Sequence, residues 1–162
     1  EAEKEQRLFS ELLGDSRYKP LGRQLDARAH RLIAAIEDVD YAEILFQELC
    51  TKDITMITGE RGSEEVHEGV EEVIDFCISN IETIRIITTI VDRGRITCPV
   101  KVYNRLDAST YKQQRMVMIF DADDSGKIKR LEMRLLGEVE HKTGCVWGGE
   151  EAHEELQADN GL

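Results

Sequence analysis

The hydrophobic periodicity of this sequence changes once, near Ile84, and that change limits the chain to a fold that combines helices with an antiparallel sheet. From Ile84 to Leu136 apolar and polar residues alternate in four runs, Ile84 to Val91, Ile96 to Tyr103, Tyr111 to Phe120 and Lys127 to Leu136. Turns are expected at Asp92-Arg93-Gly94 and at Asp123-Asp124-Ser125-Gly126, with a loop after Tyr103. One face of this meander collects Ile84, Ile86, Thr88, Ile90, Ile96, Cys98, Val100, Val102, Met116, Met118, Phe120, Leu131, Met133 and Leu135. The other carries Arg85, Lys101, Arg115, Arg130, Glu132 and Arg134. A sheet with one apolar face has to bury it, and helices must supply the cover.

The N-terminal half provides them. Ala29, Leu32, Ile33 and Ile36 recur at helical spacing, and after Asp38-Val39-Asp40 a second stripe runs through Tyr41, Ile44, Leu45 and Leu49. Ile54 to Thr58 is rich in β-branched residues and stops at Gly59 and Gly62, as a strand entering a loop would. Val70, Val73, Ile74, Cys77, Ile78 and Ile81 then form the clearest amphipathic stripe, with acidic residues at its start favoured by the helix dipole. Ahead of Asp26, the pattern Leu8, Phe9, Leu12, Leu13 and the breakers Gly14, Pro20 and Gly22 predict an appended helix and linker over 1–25. With 162 residues and 41% hydrophobic content, one α+β domain over 26–136 is expected, and after it an acidic, mobile tail over 137–162.

Charge and cysteine usage exclude several roles. Asp and Glu outnumber Lys and Arg by 33 to 21, so phosphate backbones and anionic membrane surfaces are repelled, and neither nucleic acid nor membrane is an expected partner. Cys50, Cys77, Cys98 and Cys145 are too widely spaced for a zinc or redox motif and read as reduced thiols. The opening Glu1-Ala2-Glu3-Lys4-Glu5 lacks the apolar core of a secretion signal, so the expected location is cytoplasmic.

Three segments carry a resemblance: Ala34-Ala35-Ile36 running into Asp38-Val39-Asp40, Gly69 opening the third helix, and Phe120-Asp121 leading to Gly126-Lys127-Ile128. In that order, along Asp26 to Leu136, the chain resembles the nuclear transport factor 2-like superfamily of ketosteroid isomerases, SnoaL-like polyketide cyclases, scytalone dehydratases and noncatalytic carriers. The resemblance implies a cone-shaped roll, three N-terminal helices packed on a curved, mainly antiparallel sheet. It also implies a pocket at the open end and an outer sheet face that pairs two subunits. It puts Leu32, Thr58 and Met116 where an isomerase of the family needs a general base and oxyanion donors. None of these can do that work, so steroid isomerisation is not expected. The arginine-bracketing carboxylates of limonene epoxide hydrolases are missing too.

Catalytic residues are not legible in the sequence; the candidates are His67, ahead of Gly69 at the rim, and His30 on the first helix. An imidazole at either place is able to act as acid or base near neutral pH. The bland readings are a solvated loop histidine and the edge of a buried stripe. The expected pocket lining is Leu32, Ile36, Thr58, Cys98, Met116 and Met118, apolar enough to hold a hydrophobic small molecule, although the methionines and Phe120 serve equally as core. Cys98, with no histidine near it in the strand pattern, reads as an inert buried thiol.

One motif competes. Asp121, Asp123, Ser125, Gly126, Ile128 and Glu132 have the spacing of an EF-hand calcium loop, but strand character on the N-terminal side and the missing second loop favour a hairpin turn. The leading expectation is therefore a domain that binds a polyketide- or terpenoid-like molecule, with any cyclase, isomerase or dehydratase chemistry free of metal and cofactor. The alternatives are a noncatalytic dimerisation or protein-interaction module and, third, a calcium-binding protein. A homodimer is expected through the outer face, where Ile87, Val117, Ile119 and Tyr103 lie among the cations.

Overall fold

The computed structural model describes residues 19–144, with side chains from Arg23 onward. In chain order the elements are α1 (Lys19–Ile36), α2 (Val39–Leu49), β1 (Cys50–Glu60), β2 (Ser63–Glu68), α3 (Val70–Asn80), β3 (Thr83–Ile86), β4 (Ile90–Asp92), β5 (Arg95–Arg105), β6 (Thr110–Ala122), β7 (Ile128–Leu135) and β8 (Glu140–Thr143). The strands form one sheet in the order β2-β1-β7-β6-β5-β3, with β4 added to β5 and β8 to β6. All neighbours are antiparallel except β1 and β7. Register shifts between Cys50 and Thr55 and between Asp121 and Ala122 mark bulges, the device by which a sheet bends.

The helices lie on the apolar face. Leu25, Ala29, Leu32, Ile33 and Ile36 of α1 join Val73, Ile74 and Cys77 of α3 and the inward residues of the strands in one buried cluster. The α1 end is tied down by Glu37, whose Oε1 accepts the Ile84 N–H at 2.9 Å and pairs with Arg85. From the middle of the helix Arg28 donates to the Gly126 carbonyl. This is the expected α+β roll of three helices on a curved, mainly antiparallel sheet.

Several local expectations differ. The first helix starts at Lys19, ahead of Asp26; Pro20 sits in its first turn, where the missing N–H has no intrahelical partner to lose. The appended pattern at Leu8 to Leu13 lies outside the described residues. On α2 the buried residues are Ala42, Phe46 and Leu49, while Tyr41 and Ile44 are 61% and 65% exposed. The expected Ile84 to Val91 strand is broken into β3 and β4. Pro99 has no N–H to donate, and Ile87, which donates to the Pro99 carbonyl at 2.9 Å, begins the detour that ends at Ile90. Beyond the break Thr88 and Ile90 are exposed instead of facing the core. Residues read as a loop before Gly69 form β2, and part of the expected tail forms β8.

Candidate functional site

The polar chemistry on the inner face gathers where β1 turns into β2. In β1 the inward residues Ile54, Met56 and Thr58 are buried. Across the hairpin Met56 pairs with His67 and Thr58 with Glu65, which sets both β2 side chains on the same face. Gly59 and Gly62, at φ 95° and 97°, make the turn, and a Cβ on Gly59 would meet the Ser63 carbonyl at 2.9 Å. Two sequence candidates are thereby brought together: Thr58 Oγ1 lies 3.2 Å from His67 Nε2. The imidazole is packed against the Phe76 ring of α3, centroids 4.5 Å apart and tilted by 39°. Its side chain is 19% exposed, and Glu65, mostly in solvent, approaches Nε2 at 4.0 Å. Thr58 is thus buried, and His67 keeps a small part of its surface exposed. His67 is a strand residue bonded to Thr58, not a solvated loop histidine. The sequence carried little signal for it: Ser63–Glu68 has a single apolar residue, Val66, among three glutamates, with glycines on both sides.

The remaining candidates separate from this pair. His30 projects from the outside of α1, and its Nε2 is 3.5 Å from Asp26 Oδ1, one helical turn away. Leu32, Ile36, Cys98 and Met118 are 0–2% exposed members of the core cluster, and Met116 is packed against it half-buried. Side chains with so little exposure leave no water-sized space beside them, so this part of the cone is filled. Burial pushes the Cys98 thiol up to about 12, as it does for Cys50 and Cys77, which leaves no reactive thiolate at neutral pH. Two clefts open elsewhere. One, of about 550 Å³, continues from the end of β1 between Gly59, Glu60, Arg61, Glu64, Arg134, Leu135 and Gly137. The other, of about 610 Å³, lies at the start of α3 beside Lys52 and Glu68. None of the six expected lining residues lines either cleft.

The geometry of the same residues is that of the expected hairpin turn. Asp121, next to the last residue of β6, is gripped by Arg95, Nε to Oδ1 at 2.7 Å and Nη2 to Oδ2 at 3.1 Å. Asp123 Oδ1 accepts from the Ser125 hydroxyl at 2.7 Å, the Ser125 N–H at 2.9 Å and the Lys127 N–H at 3.0 Å. Those bonds, the Ser125 hydroxyl first, hold its carboxyl below the usual carboxylate range. Glu132 is paired with Arg130 and Arg134. Gly126, at φ 85°, supplies the left-handed residue of a hairpin, and a Cβ there would collide with the Arg28 guanidinium. Strands flank this loop on both sides, and its oxygens are already committed. Millimolar calcium is expected to leave the melting temperature unchanged to about a degree; native-state binding at a hundredfold excess over Kd would add about 2.7 kcal/mol and a clear upward shift.

No family model and no curated protein matches the sequence. Solved structures do. A candidate SnoaL-like polyketide cyclase from Jannaschia sp. CCS1 superposes with a TM-score of 0.62 at 14% identity, covering 72% of this chain and 88% of that one. A candidate ketosteroid isomerase from Kribbella flavida DSM 17836 gives 0.57 at 15% identity, over 74% and 82%. A de novo designed protein with a curved β-sheet gives 0.55 at 13% identity, over 70% and 86%. The chain has the nuclear transport factor 2-like fold. At such identities the likeness establishes fold alone, and the designed protein shows the architecture standing without an evolved activity. Among the described residues no helix is long and apolar enough to cross a membrane.

Proposed function

We propose that this domain binds a small, largely apolar molecule at the end of the cone where β1 meets β2, and that Thr58 and His67 hold its one polar group. The observation that carries this reading is the 3.2 Å contact between Thr58 Oγ1 and His67 Nε2, with the imidazole still 19% exposed. Phe76, half-buried and packed against the imidazole, gives the ligand apolar surface. When Nε2 carries its proton, Thr58 accepts it and turns its own hydroxyl hydrogen to a ligand oxygen; when Nε2 is bare, Thr58 donates to it. That exchange suits proton transfer at a polarised carbonyl or hydroxyl, the step a cyclase, isomerase or dehydratase of a polyketide- or terpenoid-like substrate requires. The SnoaL-like neighbour supports the same class of chemistry. Steroid isomerisation is not proposed, because Leu32 and Met116 offer neither base nor oxyanion donor.

Screening neutral apolar metabolites by thermal shift identifies the ligand. Thr58→Val, which keeps the shape and removes the hydroxyl, is then expected to weaken its binding about tenfold, or about 1.4 kcal/mol. Unchanged affinity in both Thr58→Val and His67→Ala would place the ligand elsewhere. The second reading, a noncatalytic interaction module, is favoured by one observation, the filled cone around Leu32, Cys98 and Met118. A screen without a single hit would support it.

A further inference from the structure

We propose that the cleft between the β1–β2 turn and the end of β7 is a second binding site, one that takes the carboxylate group of a small organic monoanion. The topology makes the cleft. β1 and β7 run parallel with Thr58 opposite Met133, so Arg134 follows beside Gly59. The hairpin needs glycine there, because a Cβ on Gly59 would stand 2.9 Å from the Ser63 carbonyl. Gly59 therefore puts no side chain next to Arg134, whose Nη1 lies 3.4 Å from the Gly59 carbonyl oxygen. Gly137 belongs to the same lining and is open as well: a Cβ built on it would meet nothing within 4 Å. The space left is about 550 Å³, within the usual range of small-molecule sites.

Two arginines line this space with bonding capacity to spare. The Arg134 side chain is only 25% exposed, yet each of its contacts is long. Nη1 to the Gly59 carbonyl and Nη2 to Glu64 Oε2 are both 3.4 Å, and Nε to Glu132 Oε2 is 3.7 Å. Glu132 is shared, its other oxygen being held by Arg130. A guanidinium well bonded to an anion sits about 2.7–2.9 Å away and engages two oxygens through parallel N–H groups. Arg61, exposed at the turn, makes no hydrogen bond or ion pair among the described residues. A carboxylate entering the cleft gives Arg134 the short fork that its present contacts lack, and gives Arg61 a partner.

The rest of the lining narrows the ligand class. Glu60 and Glu64 balance the two guanidinium charges, so a ligand with two negative charges is opposed. A monocarboxylate, singly charged and planar, matches the arginine fork better than a phosphate dianion does. Leu135 adds apolar surface and favours an aliphatic or aromatic body over a bare inorganic ion. Neither Thr58 nor His67 lines the cleft, so the proposal does not depend on the ligand site placed there.

The test is titration of the isotope-labelled chain with sodium benzoate, hexanoate or phosphate, followed by proton–nitrogen NMR at constant ionic strength. With benzoate or hexanoate, the Arg134 Nε–H signal and the Gly59 and Arg61 amides are expected to shift and saturate, with Kd at or below about 1 mM. Phosphate should bind at least about tenfold more weakly. Arg61→Ala, at a residue with no partner to lose, is expected to keep the fold and weaken benzoate binding about tenfold. Arg134→Lys keeps the charge and loses the fork, and the same weakening is expected. Absence of saturation up to about 10 mM overturns the proposal. So does phosphate bound as tightly as benzoate, or benzoate affinity untouched by both arginine substitutions. If that affinity falls in Thr58→Val instead, the carboxylate is held at the ligand site and the cleft is not its place.

Discussion

Phe46→Ala is expected to destabilise the domain by about 3–5 kcal/mol in chemical denaturation, while Ile44→Ala, two residues earlier on the same helix, costs no more than about 0.5 kcal/mol. Phe46 is 1% exposed and lies with Ala42 and Leu49 on the buried side of α2, so its removal leaves a cavity the size of a benzene ring. Ile44 is 65% exposed and already spends its surface on water. The stripe read from sequence, through Tyr41, Ile44 and Leu45, predicts the opposite ranking. If Ile44→Ala proves the more damaging of the two, α2 is rotated from the orientation described.

Cys98→Trp is the second large effect, and it decides between a filled cone and an open one. Cys98 is fully buried between Val100, Ile96 and its cross-strand neighbour Met118. An indole inserted among them has no room, and overpacking typically costs about 1–3 kcal/mol, and more where the backbone must shift. The expected result is a fall in stability of at least that size, and unaltered affinity for any ligand held at Thr58 and His67. A stable Cys98→Trp protein that loses ligand binding would show that the cavity extends to β5. Cys98→Ala is the matched control; it removes little volume and is expected to stay folded.

The fold was legible because its main signal is periodicity, a property of one segment at a time. Alternation from Ile96 to Phe120 correctly divided Cys98, Val100 and Met118 from Lys101 and Arg115 before any pairing was known. The site was legible only in part. Thr58 and His67 were both candidates, yet nothing in their spacing joined them. Nine residues apart, they meet because a tight hairpin folds β2 back on β1, and β2 is too acidic to be read as a strand. The calcium spacing was ambiguous for the reverse reason: six residues at the right intervals are the same residues a hairpin needs when Arg95, Arg130 and Arg134 are there to engage the carboxylates.

The sequence by itself determined which residues face the core and which do not along the long strands, the number of main helices, and the acidic balance of the chain. The tertiary structure alone decided which side of α2 is buried, where the first β-run breaks, and that the cone is packed at the residues expected to line a pocket. It also decided that Tyr103 and Lys101, outward by parity, are nonetheless covered. The division has a physical cause. Strand and helix periods arise from local backbone geometry, which each segment carries within itself. Rotation, register breaks and burial on a second face depend on what another, distant segment brings into contact, and that is settled only when the whole chain packs.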